Sequence, residues 1–181
     1  MKNSDKIQIS LLATKIQDSR WDKRTVKHRS IPHLFLYQVE RFKNRTALRE
    51  KDYGIWKEIS WKEYGEHVRN FCLGLYSLGL KRGGHVSILS ENIPEWLYAD
   101  LAIQSAGGVS VGVYPTNPPP EVKYIVGHSE SLFCICQDQE QVDKILRIWP
   151  HIKEKVQWVI VWDSRGMSHY YQQYPFLRRF E

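Results

Sequence analysis

Cysteine is scarce. Cys72, Cys134 and Cys136 are the only three in 181 residues, too few to staple a chain of this size, so stability has to come from a core rather than a disulfide framework. No apolar run is long: the most apolar stretch, Phe71 to Leu80, falls short of the ~20 residues that a membrane-spanning helix needs. No secretory leader is expected, because Ile9 to Ala13 is too short and too polar and no small-residue cleavage site follows it. A cytoplasmic location is the default. Basic residues never form a block. The net charge of +6 and pI near 9.2 come from lysines and arginines interspersed with acids, which describes a solvated, mildly basic surface rather than a nucleic-acid-binding one.

Catalytic signatures are missing as well. None of the 11 glycines is followed by lysine, and neither Gly-x-Gly-x-x-Gly nor a Walker-type loop occurs, so none of the common phosphate cradles is present. The seven histidines show no His-Glu-x-x-His grouping, and Cys134-Ile-Cys136 puts two thiols on one face of a strand without a second pair, so no metal ligands are assigned. Ser90 and Ser129 lack the Gly-x-Ser-x-Gly elbow of a hydrolase nucleophile. No catalytic residue is assigned to these 181 residues.

What is there is an alternation of strands and helices. His85 to Ser90 reads as a strand. Asn92 offers a helix cap two residues before Pro94, and a helix runs to Ala106 with Leu97, Leu101, Ala99, Ala102 and Ile103 on its apolar side. Gly107-Gly108 ends that helix, and Val109 to Tyr114 is a second strand. A strand, a helix and a strand in so short a span make a parallel crossover unit.

Upstream, Ile31-Pro32 opens a helix, and Thr46 to Glu50 with Ile55 to Ile59 forms a hairpin turned at Asp52-Tyr53-Gly54. Ser60-Trp-Lys-Glu63 is a capping box for a second helix that ends near Gly79. Downstream come a helix over Glu121 to His128, a strand over Ser131 to Cys136, a helix from Asp138 stopped by Pro150, and an apolar strand from Val156 to Trp162. His128, in the last turn of its helix, suits the negative end of the helix dipole. Asp163 to Glu181 loses the regularity. Trp56, Trp61, Trp96, Trp158 and Trp162 are assigned to core packing.

The fold class is therefore α/β, a mostly parallel sheet with flanking helices, preceded by a helix–hairpin–helix. Residues 1–30, with eight lysines or arginines, are expected to form a mobile basic arm, and 31–181 the folded part.

These residues also resemble a known family. Ile88-Leu-Ser-Glu-Asn-Ile-Pro-Glu-Trp96, Ala99-Asp-Leu-Ala-Ile103, Ala106-Gly-Gly-Val-Ser-Val111 and Tyr114-Pro-Thr116 follow one another as in the N-terminal part of AMP-forming acyl-CoA synthetases. The branch they look most like is the fatty-acid–CoA ligases of the adenylate-forming superfamily. Trp56 to Trp61 and Leu78 to Val86 fit the same pattern, with Gly84 where the family most often carries Asp. The resemblance covers most of residues 31–181 and implies an incomplete N-terminal domain, truncated before the phosphate loop. It implies ATP, Mg2+, coenzyme A and a fatty acid for the complete enzyme and no activity for this chain alone. The alternative is a non-catalytic binding or scaffold domain derived from the same fold.

In an open α/β sheet, ligands lie at the carboxyl ends of the strands. On that rule the candidate cleft residues are Asn92, Tyr114, Thr116 and Asn117. An unfinished sheet implies self-association, and peripheral contact with a membrane surface stays open.

Overall fold

The computed structural model describes residues 30–180. The expected arm over 1–30 thus lies, except for Ser30, outside the described residues. The sequence from Ser30 begins with α1 (Ile31–Phe42), capped by the Ser30 side chain, which accepts from the His33 N–H at 3.3 Å. An antiparallel ribbon follows, β1 (Thr46–Asp52) and β2 (Ile55–Ser60), and then α2 (Trp61–Ser77). The capping box at the start of α2 forms in both directions: Glu63 N–H donates to Ser60 Oγ at 3.2 Å, and Ser60 N–H to the Glu63 carboxylate at 2.8 Å. The Ser60 N–H and the Ser60 hydroxyl, which donates at 2.7 Å, hold the Glu63 carboxyl below the usual carboxylate range.

The second half supplies β3 (His85–Leu89), α3 (Pro94–Ser105), β4 (Val109–Val113), α4 (Pro119–His128), β5 (Phe133–Cys136), α5 (Gln139–Ile152), β6 (Trp158–Val161), α6 (Ser168–Gln173) and β7 (Leu177–Arg179). Five of the strands form one wholly parallel sheet in the order β4-β3-β5-β6-β7. Alternation along each strand sorts side chains between two apolar layers. Val86, Ile88, Phe133, Ile135 and Ile160 face α1, α2 and α3. Leu89, Cys134, Cys136, Val159 and Val161 face α4 and α5.

One polar pair sits inside this core. Ser87 and Ser131 are both fully buried, their hydroxyls 2.7 Å apart, and Ser131 is bonded on to Ser129 at 2.8 Å. The chain of hydroxyls ends on the Val126 carbonyl at 3.2 Å. A buried hydroxyl without a partner would cost about 1–3 kcal/mol, so the three serines are stable there only together.

Several sequence expectations need correction. Asp163 onward is not irregular: α6 packs on α5 through the Tyr170 hydroxyl, which donates to Asp143 at 2.7 Å, and β7 pairs in parallel with β6. Trp149 stacks on Phe176 with ring centres 3.7 Å apart. Pro150 does not stop α5. The helix runs through it to Ile152, since proline costs only one backbone bond so near the end and the buried Ile148 and Ile152 hold the last turn. Leu97 is at the surface of α3, while Tyr98 takes the buried place beside it. Trp56 is 62% exposed on the outer face of the ribbon, with Lys51 Nζ 5.9 Å from its ring, because neither α1 nor α2 reaches that face.

Candidate functional site

The carboxyl ends of β3 and β4 open into a shallow cleft of about 420 Å3. Ser90, Glu91 and Asn92 form one wall, Gly112, Tyr114 and Pro115 the other, and Trp96 its floor. Asn92 and Tyr114 therefore face one another across it. Thr116 and Asn117 are not among its lining residues. Asn117 N–H donates to the Tyr114 carbonyl at 3.0 Å, and the turn so formed carries both away from the opening.

Asn92 is not the helix cap that its spacing suggests. Ile93 takes that position with an extended backbone, φ −118° and ψ 162°, and no side chain caps α3. Pro94 explains the difference, because it fills the first helical position and has no N–H to satisfy. The Asn92 side chain is left exposed at the junction of this cleft and a smaller one of about 220 Å3 beside Leu48 and Arg49.

The topology points one strand further along. Chain connections leave β3 for β4 on one side and return to β5 on the other, so the crevice between opposite crossings lies at β3 and β5. Gln137, the first residue past β5, fills it. Its side-chain oxygen accepts from Glu91 N–H at 2.8 Å and from Ser90 Oγ at 3.2 Å, tying the two loops together. Lys144, which is not among the cleft's lining residues, holds the loop after β4 from behind, donating to the Pro115 carbonyl and to Gln141 Oε1 at 3.3 Å.

Sequence reasoning missed Gln137 and Lys144. The strand-end rule applied to β5 finds Gln137, whereas Lys144 becomes visible only once α5 is packed beside the loop after β4. Replacing Gln137 by alanine is expected to cost about 1 kcal/mol, the worth of one ordinary hydrogen bond. The check is a denaturant midpoint, together with faster amide exchange at Glu91. An unchanged Glu91 exchange rate would show that Gln137 does not hold the loop.

The electrostatics of the cleft limit what it can bind. Its one ionisable side chain apart from Tyr114 is the Glu91 carboxylate, and no lysine or arginine lines it. A polyphosphate would meet a negative charge without a compensating cation. Mg2+ fits no better: among the described residues no three His, Cys, Asp or Glu side chains gather closely enough to hold a metal. Cys134 and Cys136 lie in the apolar layer under α4 and α5, and burial pushes the Cys134 thiol up to about 12 and the Cys136 thiol upward as well. Both are inert packing groups at neutral pH.

Comparison with known proteins identifies the fold. Residues 35–175 match the family described as "AMP-binding enzyme". The chain belongs to that family. Among curated AMP-binding relatives, a long-chain-fatty-acid–CoA ligase (ACSBG1) of Bos taurus is 31% identical over 124 residues, 68% of this chain and 17% of that protein. A long-chain-fatty-acid–CoA ligase (ACSBG2) of Xenopus laevis is 32% identical over 152 residues, 82% of this chain and 20% of that protein. The chain thus spans no more than about a fifth of the length of these relatives.

Solved structures agree on architecture. Acetoacetyl-CoA synthetase from Streptomyces lividans superposes with a TM-score of 0.70 at 18% identity, over 81% of this chain and 23% of that one. An anthranilate CoA ligase in complex with anthranoyl-AMP gives 0.64 at 23% identity, over 70% of this chain and 23% of that one. At such identities the likeness shows a shared fold. The chain, a member of the AMP-binding enzyme family, has the α/β fold of part of these proteins, and among its described residues no helix is long and apolar enough to cross a membrane.

Proposed function

We propose that residues 31–181 are the N-terminal α/β part of an AMP-forming fatty-acid–CoA ligase, upstream of its phosphate loop. The observation that carries this reading is the match over residues 35–175 together with relatives, 31–32% identical, that bear the name long-chain-fatty-acid–CoA ligase. In the complete enzyme a fatty carboxylate attacks the α-phosphorus of ATP, releasing pyrophosphate and leaving an acyl-adenylate. The thiol of coenzyme A then displaces AMP, forms the thioester and gives up its proton. ATP, Mg2+ and coenzyme A belong to that complete cytoplasmic enzyme, and the groups that hold phosphate and metal come from outside these 181 residues. Asn92 and Tyr114 border the opening toward the rest of the domain, with Thr116 and Asn117 on the adjoining turn.

A non-catalytic scaffold role is the competing reading, favoured by one observation: the cleft carries Glu91 and no cation. Self-association is expected under either reading. Among the described residues β4 and β7 are the sheet's outer strands, and Val109 on β4 is 45% exposed.

Pyrophosphate release separates the two readings. The chain alone is expected to release none from ATP with any fatty acid, and a trace when the remainder of a related ligase is added as a second chain. No release in either mixture supports the scaffold. Release by the chain alone, lost in Asn92→Ala and retained in a surface-lysine variant, would overturn both.

A further inference from the structure

The cleft at the ends of β3 and β4 has a second property besides its lack of cations: its aromatic surface is bare. Elsewhere the chain lays its own cations over accessible rings. Lys51 Nζ lies 5.9 Å from the Trp56 ring centre, Arg178 lies 4.0 Å over Trp158, and Arg179 5.1 Å over Tyr171. Trp96 and Tyr114, the floor and one wall of the cleft, carry no cation and stack on no other ring among the described residues.

Local sequence keeps them open. Trp96 stands in the first turn of α3, where the helix meets the strand ends. Next to it is Gly112, and a Cβ there would lie 3.9 Å from Trp96 Cζ2, in ordinary contact. A side chain at that position would cover the ring, and glycine leaves it uncovered. Tyr114, the first residue past β4, is 78% exposed.

Glu91 completes the set. Its N–H donates to Gln137 and its carbonyl accepts from Ser90 Oγ at 2.8 Å, so its backbone is fixed. Its carboxylate makes no hydrogen bond or ion pair among the described residues, whereas Asp52, Glu58, Glu130 and Asp163 are each paired with a lysine or arginine. Two cations border the region, and both are engaged outside the cleft. Arg49, in the adjoining smaller cleft, is held by Glu58 at 2.8 Å. Lys144, behind the loop after β4, is held by Glu140 at 3.0 Å and by the Pro115 carbonyl.

An unpaired carboxylate beside two bare rings suits one class of guest. Ring faces are negative and attract a cation held over them, most strongly when it sheds its water. Alkylammonium and guanidinium groups are weakly hydrated, whereas Mg2+ dehydrates reluctantly. An anion would be repelled by Glu91. The space, about 420 Å3, is of small-molecule size.

We propose that the cleft formed by Glu91, Trp96 and Tyr114 binds an organic cation, an alkylammonium or guanidinium group. The site rests on neither reading of the chain's function, and its occupancy is measured without turnover.

Choline is the first probe, and its uncharged analogue, with a tert-butyl group in place of trimethylammonium, is the control. Added to the 181-residue chain, choline is expected to shift the NMR signals of the Trp96 indole N–H and the Gly112 amide to saturation. The analogue should bind about tenfold more weakly. Glu91→Gln and Tyr114→Leu change exposed side chains, so the fold is kept, and each is expected to weaken choline binding about fivefold. Tyr114→Phe keeps the ring and should stay within about twofold. The amide of N-acetylarginine tests the other source of such a cation. Tighter binding than choline supports the site with a partner protein's side chain as guest, and weaker binding supports it with a free alkylammonium compound. No shift with either cation would overturn the site. So would equal affinity for the uncharged analogue, which marks apolar contact alone, or undiminished choline binding in Glu91→Gln.

Discussion

Replacing Phe133 by alanine is expected to destabilise the chain by about 3–5 kcal/mol, the usual cost of deleting a buried aromatic side chain. Phe133 starts β5, pairs with Val86 on one side and Trp158 on the other, and is fully buried beneath α2 and α3. No neighbour can close the hole without moving two strands. A whole domain is worth about 5–15 kcal/mol, so this one change removes a large part of it. Urea unfolding reads the effect as a lower midpoint at unchanged slope. The matched control is Val109→Ala on the exposed edge of β4, where the expected change is under about 0.5 kcal/mol. A loss below about 1 kcal/mol for Phe133→Ala would mean that β5 is not the centre of the sheet.

Removing residues 163–181 is expected to abolish cooperative unfolding altogether. Met167 and Leu177 are buried in the layer against α5, and each is worth about 1.5–3 kcal/mol. The Trp149–Phe176 stack adds about 0.5–1.5 kcal/mol, and the pairing of β7 with Val159, Ile160 and Val161 is lost with it. Together these terms rival the stability of a small domain. The truncated chain should bind a hydrophobic dye and lose its near-ultraviolet circular dichroism while keeping helical signal. A sharp thermal transition near that of the parent would show instead that the last segment is an ornament on a sheet complete at β6.

That second result bears on what a sequence displays. Strong periodicity made the helix–hairpin–helix and the first four parallel strands readable, because an apolar stripe or alternating face is a local property. Leu177-Arg178-Arg179 has no such stripe. Two of its three residues are arginines, and they are accommodated in a strand because Arg178 lays its guanidinium 4.0 Å above the Trp158 ring and Arg179 lies over Tyr171. Nothing local announces that arrangement, which exists only after β6 has been placed. Pro150 misleads in the opposite sense: it is a strong local stop signal, overruled by the burial of Ile148 and Ile152.

The candidate site was legible in part and for a similar reason. Asn92 and Tyr114 sit at ends of adjacent strands that follow one another along the chain, so their meeting across a cleft can be anticipated. Gln137 belongs to a strand that reaches β3 only by a crossover, and its bonds to Ser90 and Glu91 span 46 or more positions in sequence. Lys144 depends on a helix packed across the loop at Pro115.

Ser87 shows a further side of itself on the ribosome. Strand β3 leaves the tunnel long before its partner β5. From Leu89 to Cys136 synthesis takes roughly 2–10 s at the usual ~5–20 residues per second. During that interval one long edge of β3 has nothing to pair with. An unbroken Val-Val-Ile-Leu run would be an adhesive segment in the nascent chain, with high β-propensity and no charge. Ser87 interrupts it with a polar group. Once β5 arrives, Ser131 accepts that hydroxyl into the core, and the residue that kept the unfinished strand wettable becomes part of the packed sheet.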